Sequence, residues 1–472
     1  MKRLLIVTMA LAVAMTVAAQ STVWVSPGIP TDTSIVRQWH EQEYIVYSRQ
    51  GSMPGTMSYH DNAAGVVRKA ELPADMVVND FRISRDTVYA GGSVMDGGHQ
   101  VGMLGCFAIG DLLAGSFTFY WTPFAQSDMS AIGELCRNES YDLVTGVKRL
   151  EVFQCGRTMR QHVAYISDNV IMRFSGDYSS ITLRRIGCGD AMFYHPNWML
   201  NQYHYNKDGR EKYTDITLTD NHVVVVSFDS DYYHFRFELY DKVFNFAHSI
   251  APPGGTVVYD FSDHVVEGRV MAAAITGDMF AAAYHYKDPS GAYGLAIKWI
   301  TVSGGVPMLQ YSVDIPLTTT TGMAMRDVRY SPQTNSLWLL SDEVGQATGV
   351  WGSYIHRIDM GNVYAGVYEE RYYPGYKLYS LDGFVGGGHI ASGVDSGTGF
   401  LSIGNETMPA IATHCYTGKS VIGKKTTPAM TVGGHHQCST GPGVANRVYT
   451  APVTEDQMNR QCFFPKKQNS DE

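Results

Sequence analysis

One pattern recurs seven times along this chain. Each copy is a run of β-branched and aromatic residues, often opened by an acid, then a Gly/Asp/Ser turn, then a second apolar run. The clearest copies are Asp80-Phe81-Arg82-Ile83 leading to Thr87-Val88-Tyr89, Asp215-Ile216-Thr217-Leu218 leading to Val223-Val224-Val225-Val226, and Asp327-Val328-Arg329-Tyr330 leading to Leu337-Trp338-Leu339-Leu340. Third segments alternate. Phe235, Phe237 and Leu239 fall on one face and Arg236, Glu238 and Tyr240 on the other, the period of a half-buried strand. Helical periodicity is almost absent. Thr454-Glu455-Asp456-Gln457 has a capping-box pattern and predicts a short C-terminal helix.

The units start near Ile35, Asp80, Val147, Asp215, Met271, Asp327 and Leu381. Their spacing, roughly 40 to 70 residues, holds four short strands and their turns. Such repeats predict an all-β chain, a β-propeller of seven blades, with six or eight as alternatives. Closing a ring of sheets protects their edges. Two β-sandwich domains in series and an irregular β solenoid are the competing architectures. Against the first, no Pro/Ser linker or composition break divides the chain. The organisation expected is a leader over 1–19, the propeller over 20–408, and a segment over 409–472 that completes the last blade and ends in an irregular tail. Val23-Trp24-Val25 would close the ring.

The repeats resemble those of the broad propeller group that includes WD40, kelch and YVTN-type proteins, and with the leader they resemble exported bacterial members of it. Tyr330-Ser331-Pro332-Gln333-Thr334-Asn335-Ser336-Leu337-Trp338 is the closest stretch, a strand, a Pro/Asn turn and a strand. No Trp-Asp dipeptide occurs, so the WD40 signature itself is missing. The resemblance implies a scaffold and carries over no functional residue.

Lys2 and Arg3 followed by the apolar run Leu4 to Val17 read as a secretory leader, with Val17-Ala18-Ala19 at the cleavage site and Gln20 as the new N-terminus. The apolar run is shorter than the roughly 20 residues of a spanning helix. The expected location is periplasmic or extracellular. The formal charge of −9, which falls to −11 without Lys2 and Arg3, argues against nucleic acid or an anionic membrane as partner. Export permits disulfides. Of the seven cysteines, Cys106 in an apolar run reads as a buried thiol, and Cys438 and Cys462 as a bridge.

Catalytic motifs fail on inspection. His40-Glu41-Gln42-Glu43-Tyr44 lacks the second histidine of a zinc-protease helix, and Gly418-Lys419-Ser420 lacks the earlier glycine of a phosphate loop. Ser392 to Phe400 resembles the Asp-box turn of sialidase propellers with its spacing off by one, and otherwise reads as a Gly-rich hairpin turn. No sequence pattern calls for a cofactor or a metal. Aromatic clusters remain: Trp198 with Tyr203 and Tyr205, Tyr232 with Tyr233, and Tyr372 with Tyr373. Rings beside Asn, Asp and His suit sugar faces or a protein interface; the plain alternative is packing between blades. The expected function is an exported, non-catalytic binding propeller recognising a glycan or an envelope or extracellular protein through such loops. The alternatives are a carbohydrate-active enzyme, a glycosidase or lyase whose acids come from several blades, and a structural or assembly protein of the cell envelope.

Overall fold

The computed structural model describes the strands and most turns between Ser21 and Phe463. Residues 1–20, 124–145, 176–198, 242–256, 422–446 and 464–472, with some shorter connections, lie outside the description.

The described residues form seven antiparallel sheets, each built on a four-stranded meander. The first holds β2 (Thr33–His40), β3 (Glu43–Arg49), β4 (Thr56–Asp61) and β5 (Val66–Glu71). The second holds β6 (Val77–Ser84), β7 (Thr87–Asp96), β8 (His99–Ala108) and β9 (Ser116–Pro123), with the six-residue helix α1 (Ile109–Ala114) before β9. The third holds β10 (Arg149–Gln154), β11 (Gln161–Ile166), β12 (Val170–Ser175) and β13 (Met199–Tyr205). The fourth holds β14 (Glu211–Leu218), β15 (His222–Asp229), β16 (His234–Asp241) and β17 (Val257–Tyr259). The fifth holds β18 (His264–Ala274), β19 (Met279–Lys287), β20 (Tyr293–Ser303) and β21 (Val306–Pro316). The sixth holds β22 (Gly322–Ser331), β23 (Ser336–Val344), β24 (Gly352–Asp359) and β25 (Val367–Pro374). The seventh holds β26 (Lys377–Asp382), β27 (His389–Asp395) and β28 (Thr398–Gly404), and takes its fourth strand, β1 (Ser21–Pro30), from the other end of the chain. Trp24 sits opposite Leu401 in that pairing, so Val23-Trp24-Val25 takes the closing position its apolar pattern suggested.

The first strand of every sheet packs against the first strand of the next, and β26 returns to β2, so these inner strands make a closed circle. This is a β-propeller of repeated antiparallel sheets. The core is a set of slabs between neighbouring sheets, and this explains why second strands read as unbroken apolar runs. In β15, Val224 and Val226 face the fifth sheet while Val223 and Val225 face the third. In β23, Leu337 and Leu339 face the fifth sheet while Trp338 and Leu340 face the seventh. Successive side chains of a strand point to opposite faces, and here both faces are interior. Each of these aliphatic side chains contributes about 1.5–3 kcal/mol of burial.

The C-terminal segment runs along the outer edges of the sheets. β29 (Ala410–Ala412) joins β25, β30 (His414–Tyr416) and β31 (Ser420–Val421) join β21, β32 (Arg447–Pro452) joins β9, β33 (Thr454–Gln457) joins β5, and β34 (Asn459–Phe463) joins β1. It visits the sixth, fifth, second, first and then seventh sheet, the reverse of their order around the circle. The helix expected at Thr454 to Gln457 does not form. Those residues are the strand β33, because the open edge of β5 supplies backbone partners that an isolated turn of helix lacks, and Glu455 pairs with Arg68 at 2.9 Å. The segment after Pro409 therefore adds outer strands to five sheets instead of completing only the last one.

Cys106 is buried in β8 and forms no disulfide. Cys438 lies outside the described residues and Cys462 lies in β34. Among the described residues no helix is long and apolar enough to cross a membrane.

Candidate functional site at the mouth of the central channel

Four inner strands carry the same irregularity near their N-terminal ends. The register slips between Val78 and Asp80, between Tyr213 and Asp215, between Met325 and Asp327, and between Leu378 and Ser380. A bulge leaves one residue unpaired and re-aims its side chain. The skipped residues are Asn79, Thr214, Arg326 and Tyr379, and all four line one cavity of about 700 Å³ in the middle of the circle. All seven sheets contribute to its wall, among them through Arg37, Lys148, Arg149, Glu267 and Arg269. Glu267 and Gly268 lie in a wider irregularity of β18 and both have positive φ, 52° and 61°.

The residue after each bulge fastens its sheet to the next. Asp80 accepts the backbone N–H of Leu150 at 3.1 Å, Asp215 that of Ala272 at 2.9 Å, and Asp327 that of Leu381 at 3.2 Å. Ser380 does the same with its hydroxyl for Val36, at 3.2 Å, across the seam between the last and first sheets. The three aspartates are the acidic residues that open the clearest sequence repeats. A buried backbone donor must find an acceptor, and the first strand of the following sheet finds it here.

Arginines compensate the buried acids. Arg37 and Arg82 each reach Asp80 at 2.7 Å, and Arg82 also reaches Glu151 at 2.8 Å. Asp327 has Arg329 at 3.3 Å and Arg37 and Arg149 at 3.9 Å. Burial alone would raise the Asp80 carboxyl, but Arg82, Arg37 and Arg149 outweigh it and hold it below the usual carboxylate range. Asp327 is lowered in the same way: burial is opposed more strongly by Arg329, Arg149 and Arg37. Asp215 has less compensation. Burial pushes its carboxyl up to about 6, with Arg149 and the Ala272 N–H opposing only in part. Arg37 is brought down to about 10 by burial and by Arg329 and Arg82.

Asp80, Asp215 and Asp327 are at most 5 % exposed, are committed to the next sheet, and do not line the cavity. Among the described residues, Glu267 is the carboxylate that does. Among the described residues, no group of three or more His, Cys, Asp or Glu is placed to hold a metal ion.

Tyr372 and Tyr373 are not among the lining residues of this wall. Trp198, Tyr232 and Tyr233 lie outside the described residues. Tyr203 and Tyr205 are in β13, opposite Met172 and Val170. Tyr372 and Tyr373 are in strand β25 rather than a loop. Tyr373 is completely buried, in the cluster with Trp338 and Leu378, and has no face to offer a ligand. Tyr372 is half-buried, lies against Tyr354 with ring centroids 4.5 Å apart, and covers Gly352, where a Cβ would collide with its ring. Strand alternation puts the two rings on opposite faces of the sheet, Tyr373 in the buried cluster and Tyr372 over β24. His40 pairs with Glu43 between β2 and β3, and Asp395 pairs with Thr398 between β27 and β28, so each motif fragment bridges two antiparallel strands.

No protein-family model matches the sequence, and no curated protein sequence does. Among solved structures, the chain is similar to the β-propeller domain of Cps50 (Swd1) from Myceliophteria thermophila, at 11% identity and a TM-score of 0.47, covering 82% of this chain and 100% of that one. It is also similar to Sqt1 of Chaetomium thermophilum, at 14% identity and a TM-score of 0.39, covering 79% of this chain and 83% of that one. The fold is defined by the chain's own strand circuit.

Proposed function

We propose that this chain is a seven-bladed, non-catalytic binding propeller that holds a protein partner at the mouth of its central channel. The observation that carries this reading is the convergence of the four bulges. Each breaks a ladder in a strand that is otherwise regular, and each delivers its skipped side chain to one cavity. Bulges beside a cavity re-aim side chains for contact, and a concave site with a few converging polar groups is the usual form of a recognition site. Seven sheets with inner strands in a closed cycle support the blade number. The basic start and apolar run before Gln20 support action after export.

The test is partner capture with the mature chain by chemical cross-linking in extracts of its source cells. An Asn79→Ala/Tyr379→Ala double variant should lose the captured partner, and Val448→Ser on the outer strand β32 should keep it. Retention of the same partner by the mouth variant, at wild-type yield, overturns the reading.

A further inference from the structure

We propose that the channel mouth is an oxyanion site, taking carboxylates presented by an acidic segment of the partner. This rests on the mouth being the binding site and adds the chemistry of what enters it. The charge on the wall runs against the charge of the chain. The protein as a whole is formally −9, yet among the described residues the cavity wall carries Arg37, Lys148, Arg149, Arg269 and Arg326 against one carboxylate, that of Glu267. The acids that balance the inner arginines sit behind them, bound to the backbone of the next sheet. A ligand in the cavity therefore meets guanidinium groups first.

Two of these arginines keep donors for a ligand. Arg326 uses its Nε on Asp342, and among the described residues its two Nη atoms make no hydrogen bond. Arg269 meets Glu267 through one Nη at 3.0 Å, and both side chains are more than a third exposed. The Arg149 Nη2 donates to the Arg326 backbone carbonyl at 2.8 Å, which holds the Arg149 guanidinium against the bulged strand that carries Arg326. Clustering like charges disfavours the charged form. Arg269 shows it: burial, then Arg326, lowers its pKa from the ordinary arginine value. A bound oxyanion relieves that repulsion, and a planar guanidinium matches the two oxygens of a carboxylate. The recessed low-dielectric wall also strengthens the attraction over that at an open surface.

The experiment is titration calorimetry of the intact mature protein with two probes, N-acetylated hexaglutamate and inorganic phosphate, at 50 mM and 500 mM NaCl. We expect saturable binding of the peptide, weakened at least tenfold by the Arg269→Gln/Arg326→Gln variant and severalfold by the higher salt. Phosphate binding of equal strength would show a site for any free oxyanion and overturn the acidic-segment assignment. Should the double variant fail to fold, as judged by circular dichroism, the exposed Lys148→Gln variant carries the same test with an expected loss of about threefold. Equal affinity of variant and wild type overturns the proposal. If neither probe binds while Asn79→Ala/Tyr379→Ala still abolishes partner capture, the anion assignment fails and the binding reading stands.

Discussion

The carboxylate of Asp327 accepts the backbone N–H of Leu381, 3.2 Å away on the first strand of the next sheet. Asp80 and Leu150 repeat the relationship at 3.1 Å, and Asp215 and Ala272 at 2.9 Å. One residue type at one position in the repeat thus fastens consecutive sheets around the channel. The same position follows the bulge that shapes the mouth, so ring assembly and site geometry share a cause.

Removing a latch should cost far more than a hydrogen bond. Asp327→Ala leaves the Leu381 N–H without its acceptor and leaves Arg329, Arg149 and Arg37 buried with less compensation. Breaking a buried pair by deleting one partner costs about 3–5 kcal/mol. Urea denaturation followed by tryptophan fluorescence should show a loss of that size. A loss below about 1 kcal/mol would mean that the pair adds little to holding the sheets together.

Asp215 should make the fold less stable at alkaline pH. Its folded pKa, about 6, lies above that of an unfolded aspartate. The advantage of the folded state is therefore full below about pH 3.9 and is lost as pH rises through 6, where the buried group ionises. Asp215→Asn keeps an oxygen for the Ala272 N–H and removes the charge. The variant should exceed wild type by about 1–3 kcal/mol at pH 8 and match it at pH 4. Burial lowers His60 and His285 to about 3, so each favours the fold above pH 6.5 and withdraws that support as pH falls. Both proteins carry them, so the two are compared at each pH. A variant no more stable than wild type at pH 8 would contradict the assignment.

The outer strands should protect edges more than they add contact energy. Ending the chain after Pro409 uncovers the edges of β1, β5, β9, β21 and β25. Exposed edges recruit other chains, so light scattering should show concentration-dependent association and the thermal midpoint should fall by several degrees. Glu455→Gln removes only the solvent-exposed pair with Arg68 and should cost about 0–1 kcal/mol. A truncated protein as soluble and as heat-resistant as the full chain would rule out this role.

Much of the scaffold was legible. Val223 to Val226 and Leu337 to Leu340 announced strands buried on both faces, and Asp80, Asp215 and Asp327 announced a position of special use. The site was not legible, because Asn79, Thr214, Arg326 and Tyr379 share no residue type and only their register slips unite them. Tyr372 and Tyr373 misled because an aromatic pair next to a Pro-Gly turn reads as a loop, while pairing with β24 keeps both in a strand. The Thr454 helix failed for the same reason, a sheet edge outbidding a local signal.

The sequence by itself determined the repeat, the strand character of its clearest copies and the acid that opens them, because these follow from local alternation and residue type. The tertiary structure decided what those acids do and where the cations gather. Arg37 meets Asp80 and Asp327, which lie 43 and 290 positions along the chain, only because the inner strands close into a circle. Cations placed at separate points along an acidic chain meet at one cavity when that circle brings Arg37, Arg149, Arg269 and Arg326 together and turns the aspartates toward the neighbouring backbone.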